Sequence, residues 1–291
     1  MSAPLYIVNA FTTGPYAGNP AALVLVDEFP ESQTMQKIAA NLNQPMTAFL
    51  RPTSTITNDA ASVSYDVRWH TPTKEVPICG HATLATSGLL FSEPSVLPSS
   101  VASISYRTAQ GAELTARKDG DWIEITLPST EMHSPPPEAE KRITAVVRKA
   151  LGEDAQIAYI GIGGEGFGHY MMVEVDEAYN LGAREINFEA LLAPEIVVNV
   201  ITSKSSQAGV AFVSRMFAPA IAVPAEDHVC GSAHCLLAPY WSAKLGKGDE
   251  EMRAKQVSAR GGDLKVRFLG SQGRVALGGQ TKTTLKGSVL L

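Results

Sequence analysis

Two stretches of this 291-residue chain repeat one pattern: "VPICGHATLATSGLLF" at residues 76–91 and "DHVCGSAHCLLAPYWSAKLG" at residues 227–246. Each places Cys-Gly-x-Ala before a run of small and apolar residues. Both runs are apolar on nearly every face, which predicts a helix enclosed by a sheet rather than one lying on a surface. Pro239 in the second run predicts a kink or an early stop, because an interior proline removes a hydrogen bond and clashes with the preceding turn. The simplest architecture with this repeat is a pair of matched halves, each with a central helix entered through Cys-Gly.

The surrounding sequence is rich in strands. "PLYIVNAF" alternates apolar residues, and the Gly/Pro/Asn-rich loop "TTGPYAGN" feeds a second strand around Leu23 to Val26. "TAFLRP", "VSYDVRWHTP" and "SISYRTAQGAELTARKDGDWIEITLP" continue the first half. "AQIAYIGIGG", "HYMMVEVD", "GVAFVSRMFAP", "KQVSARGGDLKVRFLG" and "GRVALGGQT" supply the second. Helical spacing is confined to about Ser32–Asn41, Ala139–Leu151 and a short piece near Phe188–Leu192. The proline run "HSPPPEAEK" is the best linker candidate. With 45% hydrophobic and 18% charged residues, the chain can bury one large core or two ordinary ones. The expected fold class is α+β. The expected halves are residues 1–130, completed by a last strand at 281–291, and residues 131–280.

Charge and cysteine content narrow the function. The net charge of −5 and the lack of a basic cluster give no electrostatic reason to expect nucleic acid or an anionic membrane as partner. The N-terminus lacks the pattern of a signal peptide, and no apolar run reaches the roughly 18 residues of a membrane span. Three cysteines without a secretion signal predict reduced thiols in a cytoplasmic protein.

The paired turns are where chemistry is expected. A glycine opening a helix lets the backbone approach a ligand closely, and the first helical turn points unpaired N–H groups outward, where a carboxylate binds. The same positive end favours a thiolate and can lower a cysteine pKa from about 8.5 toward roughly 3.5–7.5. Cys79 and Cys230 thus become candidate acids and bases near neutral pH. If the two turns converge on one cleft, a carbon acid could lose a proton to one thiolate and gain one from the opposite thiol, as in a two-base racemase or epimerase with no cofactor. Helix-start groups would stabilise the enolate-like charge.

His81 and Asp227 are further candidate acids or bases. Candidate substrate-binding positions are Gly18, Asn19, Met46, Gly80, Gly231 and Ser232; Ser232 could also cap its helix. Cys235 is expected to be a packed core thiol, and His234 a packed, hydrogen-bonded histidine. The glycine-rich "GIGGEGFGH" precedes a strand rather than a helix, so it reads as a hairpin loop and not a phosphate cradle. The cysteine and histidine spacings fit no common zinc site, and "CGSAH" lacks the second glycine of a hydrolase elbow.

Four ordered motifs carry a family likeness: "VNAFTTGPYAGNPAALVLV", "RWHTPTKEVPICGHATLA", "RMFAPAIAVPAEDHVCGSAHCLLAPYW" and "QVSARGGDLKV". The chain resembles the phenazine-biosynthesis-like (PhzF-like) isomerases over nearly its whole length. That resemblance implies the fold of diaminopimelate epimerase and proline racemase: two similar domains, each a strand-rich barrel-like sheet around a central helix, with the active site in the interdomain cleft. It also implies a homodimer, while the helix-start geometry favours a small-molecule carboxylate substrate. The family's catalytic glutamate stands in Glu-Thr-Ala-Phe; here the text is "NQPMTAFL", which puts Met46 at that position. A thioether carries no proton at neutral pH. The family's histidine falls on His81, and its aspartate and serine on Asp227 and Ser232. Both thiols of the related two-cysteine racemases are present, although Gly-His-Ala follows Cys79 where those enzymes have Gly-Asn-Gly. The favoured expectation is a racemase or epimerase with Cys79 and Cys230 as its two bases. The alternatives are a double-bond isomerase using Asp227 or His81 in place of the glutamate, and a non-catalytic binding protein.

Overall fold

A computed structural model describes residues 2–111, 113–192, 195–221 and 225–291. The chain separates into two compact units, Met1–Leu127 with Leu277–Leu291, and Pro128–Ala276. Strands dominate both. No helix among the described residues is long and apolar enough to cross a membrane.

In the first unit the strand Ser2–Ala10 lies between Thr281–Leu290 and Asn19–Leu25, antiparallel to both. Asn19–Leu25 continues in parallel to Thr47–Pro52, which pairs antiparallel with Ser62–His70. Ser62–His70 then runs parallel to Ser103–Thr108, and antiparallel pairings lead on to Glu113–Asp119 and Trp122–Pro128. Helix α1 (Ser32–Leu42) buries Met35, Ile38 and Ala39, the spacing that marked it in the sequence. Asn43 ends it in the left-handed conformation, which asparagine tolerates.

Helix α2 (Gly80–Ser92) has every residue from Gly80 to Leu90 buried. Its glycines, threonines and serines are poor helix formers, so enclosure rather than intrinsic preference holds it helical. The helix packs on Thr281–Leu290, Ser2–Ala10, Asn19–Leu25, Thr47–Pro52 and Glu113–Asp119, strands from both ends of the series. At Gly88 a Cβ would sit 2.0 Å from Thr281 Oγ1, so only glycine allows this approach. The Ser87 hydroxyl is satisfied within the unit: its Oγ donates to Thr83 O at 2.7 Å and lies 2.8 Å from Tyr106 Oη.

The second unit repeats part of this order. Tyr170–Val175 is antiparallel to Ile157–Gly163 and parallel to Val198–Lys204. Val198–Lys204 pairs antiparallel with Phe212–Phe217, which runs parallel to Met252–Gln256; that strand in turn is antiparallel to Gly262–Leu269. Of the glycine-rich residues 161–169, the first three end the strand Ile157–Gly163 and residues 164–169 connect it to the antiparallel strand Tyr170–Val175, so the loop is the turn of a hairpin. The proline run is part of a helix rather than a linker: Pro136 is the N-cap and Pro137 the first residue of α3 (Pro137–Leu151). Proline suits that position because its missing N–H would have had no partner there. Glu138 and Glu140 at the start of α3, and Arg148 and Lys149 at its end, complement the helix dipole.

Helix α4 (His234–Leu245) runs through Pro239, so of the kink or early stop expected there the early stop does not occur. The carbonyl that Pro239 leaves without an N–H belongs to Cys235, and it accepts a hydrogen bond from Thr130 N at 3.0 Å. Replacement of the lost bond from outside the helix removes much of the proline penalty.

Candidate active site

Each Cys-Gly turn is fed by a two-residue strand. In the first unit Glu75–Val76 pairs antiparallel with the end of Ser62–His70, matching His70 to Glu75. In the second, Glu226–Asp227 pairs with the end of Phe212–Phe217, matching Phe217 to Glu226. The arginine two residues before the matched residue grips the glutamate with both arms. Arg68 Nε and Nη2 donate to Glu75 Oε1 and Oε2 at 2.8 and 2.5 Å. Arg215 Nε and Nη2 donate to Glu226 Oε1 and Oε2 at 2.7 and 2.8 Å. The cysteine follows four residues after the glutamate in both units. The duplication therefore includes the device that aims the turn, beyond the Cys-Gly-x-Ala pattern visible in the sequence.

In the first unit Cys79 is the N-cap of α2, with its backbone extended and its carbonyl accepting from Thr83 N and Oγ1 at 3.1 and 2.7 Å. Its sulfur lies 3.3 Å from His81 Nδ1, a distance at which thiol and imidazole can share a proton. Cys79 and His81 are both buried, 8% and 5% exposed. The structure thus brings Cys79, Gly80 and His81 together at one helix start. Gly18 and Asn19 stand where the loop enters Asn19–Leu25. Gly18 has φ +71°, and a Cβ there would lie 2.2 Å from Ala10 O, so glycine is required. Met46 is buried just before Thr47–Pro52, and its carbonyl accepts from Ala22 N at 2.9 Å.

In the second unit Cys230 precedes helix α4 by four residues, so it is not a cap; Ala233 is. Gln256, itself 1% exposed, braces this turn from the neighbouring strand. Its amide donates to Asp227 O at 2.5 Å and its carbonyl oxygen accepts from Cys230 N at 2.8 Å. Ser258 Oγ adds a bond to His228 O at 2.5 Å. Asp227 Oδ1 accepts from Val229 N at 3.0 Å. His234 is fully buried and places Nδ1 2.9 Å from Cys230 O; since a carbonyl only accepts, the proton is on Nδ1. The motif "QVSARGGDLKV" supplies Gln256 and Ser258, so this part of the sequence builds the Cys230 turn.

The electrostatics of Cys230 run against the sequence-based expectation of a ready thiolate. Burial and the Asp227 carboxylate push its thiol up to about 12, with Ser232 Oγ and the Ala233 and Ser232 amides pulling the other way. The helix start lies farther along the chain than the motif suggested, and a nearly enclosed sulfur loses the hydration an anion needs. Cys230 is therefore an acid that holds its proton at neutral pH. Ser232 does not cap α4. Its Oγ lies 3.3 Å from Cys230 Sγ and accepts from Tyr170 Oη at 2.9 Å. Tyr170 had no signal in the sequence, since 62 residues separate it from Ser232. Cys235 is a core thiol, its pKa raised by burial. Among the described residues, no group of three or more His, Cys, Asp or Glu side chains is arranged to hold a metal ion.

Comparison with known proteins agrees with this architecture. The chain is 37% identical over 291 residues, with full coverage of both, to an uncharacterized isomerase of Halalkalibacterium halodurans. A phenazine biosynthesis protein of the PhzF family from Enterococcus faecalis superposes with a TM-score of 0.80 at 31% identity over all of both chains. A hydroxyproline epimerase from Agrobacterium vitis shares the fold, with a TM-score of 0.59 at 13% identity, over 99% of this chain and 91% of that one. The mixed α+β, strand-rich fold with few helices is thus that of PhzF proteins and of such epimerases. The model of the phenazine biosynthesis-like proteins matches residues 8–287, and the chain belongs to that family.

Proposed function

We propose that the protein is an isomerase of the racemase or epimerase type, moving a proton at the carbon α to the carboxylate of a small amino-acid-like substrate. Cys79 and Cys230 are its two proton carriers. The observation that carries this reading is the duplicated device: in each unit an Arg–Glu fork pins a two-residue strand, and four residues later a buried cysteine opens the way to an enclosed helix. The name of the Halalkalibacterium relative, an isomerase, supports the general class.

The chemistry balances with the two thiols and the His81 ring. Cys79, next to His81 Nδ1, passes its proton to the ring and takes the substrate's α-hydrogen as a thiolate. The electron pair of the broken C–H bond spreads into the carboxylate. Cys230, still protonated at neutral pH, gives its proton to the opposite face and becomes the thiolate. No oxidation or reduction occurs, and no cofactor is called for. Amide N–H groups at the first turn of α2 suit the substrate carboxylate.

Solvent deuterium exchange at the α-carbon of candidate amino and hydroxy acids tests the reading. Cys79→Ser is expected to abolish exchange at neutral pH, because Cys230 there holds its proton, Cys230→Ser to leave exchange of one enantiomer while stopping its conversion to the other, and the double variant to lose both activities. Full exchange in all three variants would sink the two-thiol mechanism. A second reading, a double-bond isomerase that uses His81 or Asp227, is favoured by the closeness of His81 to Cys79. It predicts double-bond migration that survives both cysteine substitutions and is enhanced by Met46→Glu.

A further inference from the structure

We propose that Tyr170 is a positioning residue that fixes the Ser232 hydroxyl as a donor to the Cys230 sulfur and so governs how readily that sulfur releases and recovers its proton. The inference deepens the reading of Cys230 as a proton carrier and rests on it.

The argument begins with where hydrogens can go. Tyr170 opens the strand Tyr170–Val175, and its ring is wedged against two others. Phe167 lies 5.2 Å away at 65°, and His169 4.8 Å away at 66°. Held in this way, the phenol aims its oxygen at Ser232 Oγ, 2.9 Å away, and donates to it. Burial and the neighbouring Cys230 raise the Tyr170 pKa beyond its ordinary value, so it remains a donor wherever the protein is folded. With one Ser232 lone pair occupied by this proton, the serine's own hydrogen is free to point at Cys230 Sγ, 3.3 Å away. Without Tyr170, Ser232 could rotate and accept from the thiol instead, which would favour the protonated sulfur.

Few groups face that sulfur, so one hydrogen bond counts. Burial and the Asp227 carboxylate oppose ionisation; Ser232 Oγ and the amides of Ser232 and Ala233 favour it. The buried Cys235 thiol is a further neighbour. His234 binds the Cys230 carbonyl and leaves the sulfur alone. In the first unit the corresponding thiol is next to an imidazole, so the two carriers are tuned by different partners: His81 for Cys79, and the Tyr170–Ser232 pair for Cys230.

The test titrates Cys230 without substrate, which separates it from the exchange experiment: either can fail alone. The rate of Cys230 alkylation by iodoacetamide is followed against pH by mass spectrometry of the modified peptide, with fragment ions separating Cys230 from Cys235. The S–H stretching band is read in wild-type minus Cys230→Ser infrared difference spectra. Tyr170→Phe is expected to slow alkylation about three- to tenfold at a fixed alkaline pH, the worth of one hydrogen bond. It should also shift the S–H band to lower frequency as the thiol becomes the donor. Ser232→Ala should slow alkylation comparably, and Tyr170→Phe in that background should add nothing, because Tyr170 acts through Ser232. Ser232→Thr, which keeps the hydroxyl, should restore the rate only with Tyr170 present. An unchanged pH profile and S–H band in Tyr170→Phe would overturn the proposal, as would additive effects in the double variant. If Tyr170→Phe failed to fold, an unchanged profile in Ser232→Ala would overturn it equally.

Discussion

At the scale of single residues, the pair of cysteines is symmetric in sequence and asymmetric in surroundings. Cys79 caps its helix and faces an imidazole, whereas Cys230 lies ahead of its helix among hydroxyl and amide donors with a carboxylate nearby. Asp227 was a candidate acid or base in its own right; its clearest effect in the structure is on its neighbour, whose proton it helps to retain. That effect can be isolated because Asp227→Asn removes the charge and keeps an oxygen to accept from Val229 N, as Oδ1 now does. A thiol relieved of a nearby negative charge ionises more easily. Asp227→Asn should therefore speed Cys230 alkylation at alkaline pH, the opposite sign to Tyr170→Phe. A slower rate would mean that Asp227 mainly orders the turn.

At the scale of elements, the unit that is duplicated is the approach to the turn. Glu75 and Glu226 stand four residues before their cysteines, so "EVPICGHA" and "EDHVCGSA" already align in the sequence. Their arginines do not. Arg68 is seven residues before Glu75 and Arg215 is eleven before Glu226, because the connecting loops differ in length while the strand register is kept. Only pairing across the sheet reveals that likeness, just as only folding brings Tyr170 to Ser232. The strand Val198–Lys204 escaped notice for another reason: Val198 to Ser203 are all buried, so the alternation that marks a strand is absent. The apolar periodicity of α1 and the all-round apolar character of α2 and α4 were legible, since burial alone dictates them. Both forks are partly buried, with side-chain exposures of 20% and 28% for Arg68 and Glu75, and 11% and 21% for Arg215 and Glu226. Such pairs fall between surface ion pairs and buried ones, so Glu75→Gln and Glu226→Gln should each cost about 1–3 kcal/mol in denaturant unfolding. Each should also raise amide hydrogen exchange at its own Cys-Gly turn and leave the other turn unchanged. Equal loosening of both turns by either substitution would show that the forks act on stability at large.

At the scale of the whole molecule, buried neutral histidines set the response to acid. Burial lowers the pKa of the enclosed His234 to about 4 and lowers that of the enclosed His70, and partial desolvation lowers those of the half-buried His228 and the exposed His169. The unfolded chain takes up protons at its histidines near pH 6.5, before the folded chain can. Their contribution to stability is complete above about pH 6.5 and erodes as pH falls from there toward the folded values. The carboxylates act later. Asp66, held by Arg107 and then Arg51, and Glu75, held by Arg68, have lowered pKa values. Their contribution is full above the unfolded carboxylate range near pH 4 and is lost as pH drops through the folded values. Acid unfolding should thus begin well above pH 5, in a range where the carboxylates remain charged. Urea midpoints at pH 7.5, 6 and 5 measure this directly, and His234→Gln assigns the share of one residue. Glutamine can still donate to Cys230 O but cannot take a proton, so the variant should start less stable at pH 7.5 and lose less between pH 7.5 and 5. Equal losses in wild type and variant would show that His234 is not the buried neutral base its hydrogen bond implies. The same titration separates the stability of the second unit's turn from the ionisation of its thiol, because His234 holds the carbonyl of Cys230 and Ser232 faces its sulfur.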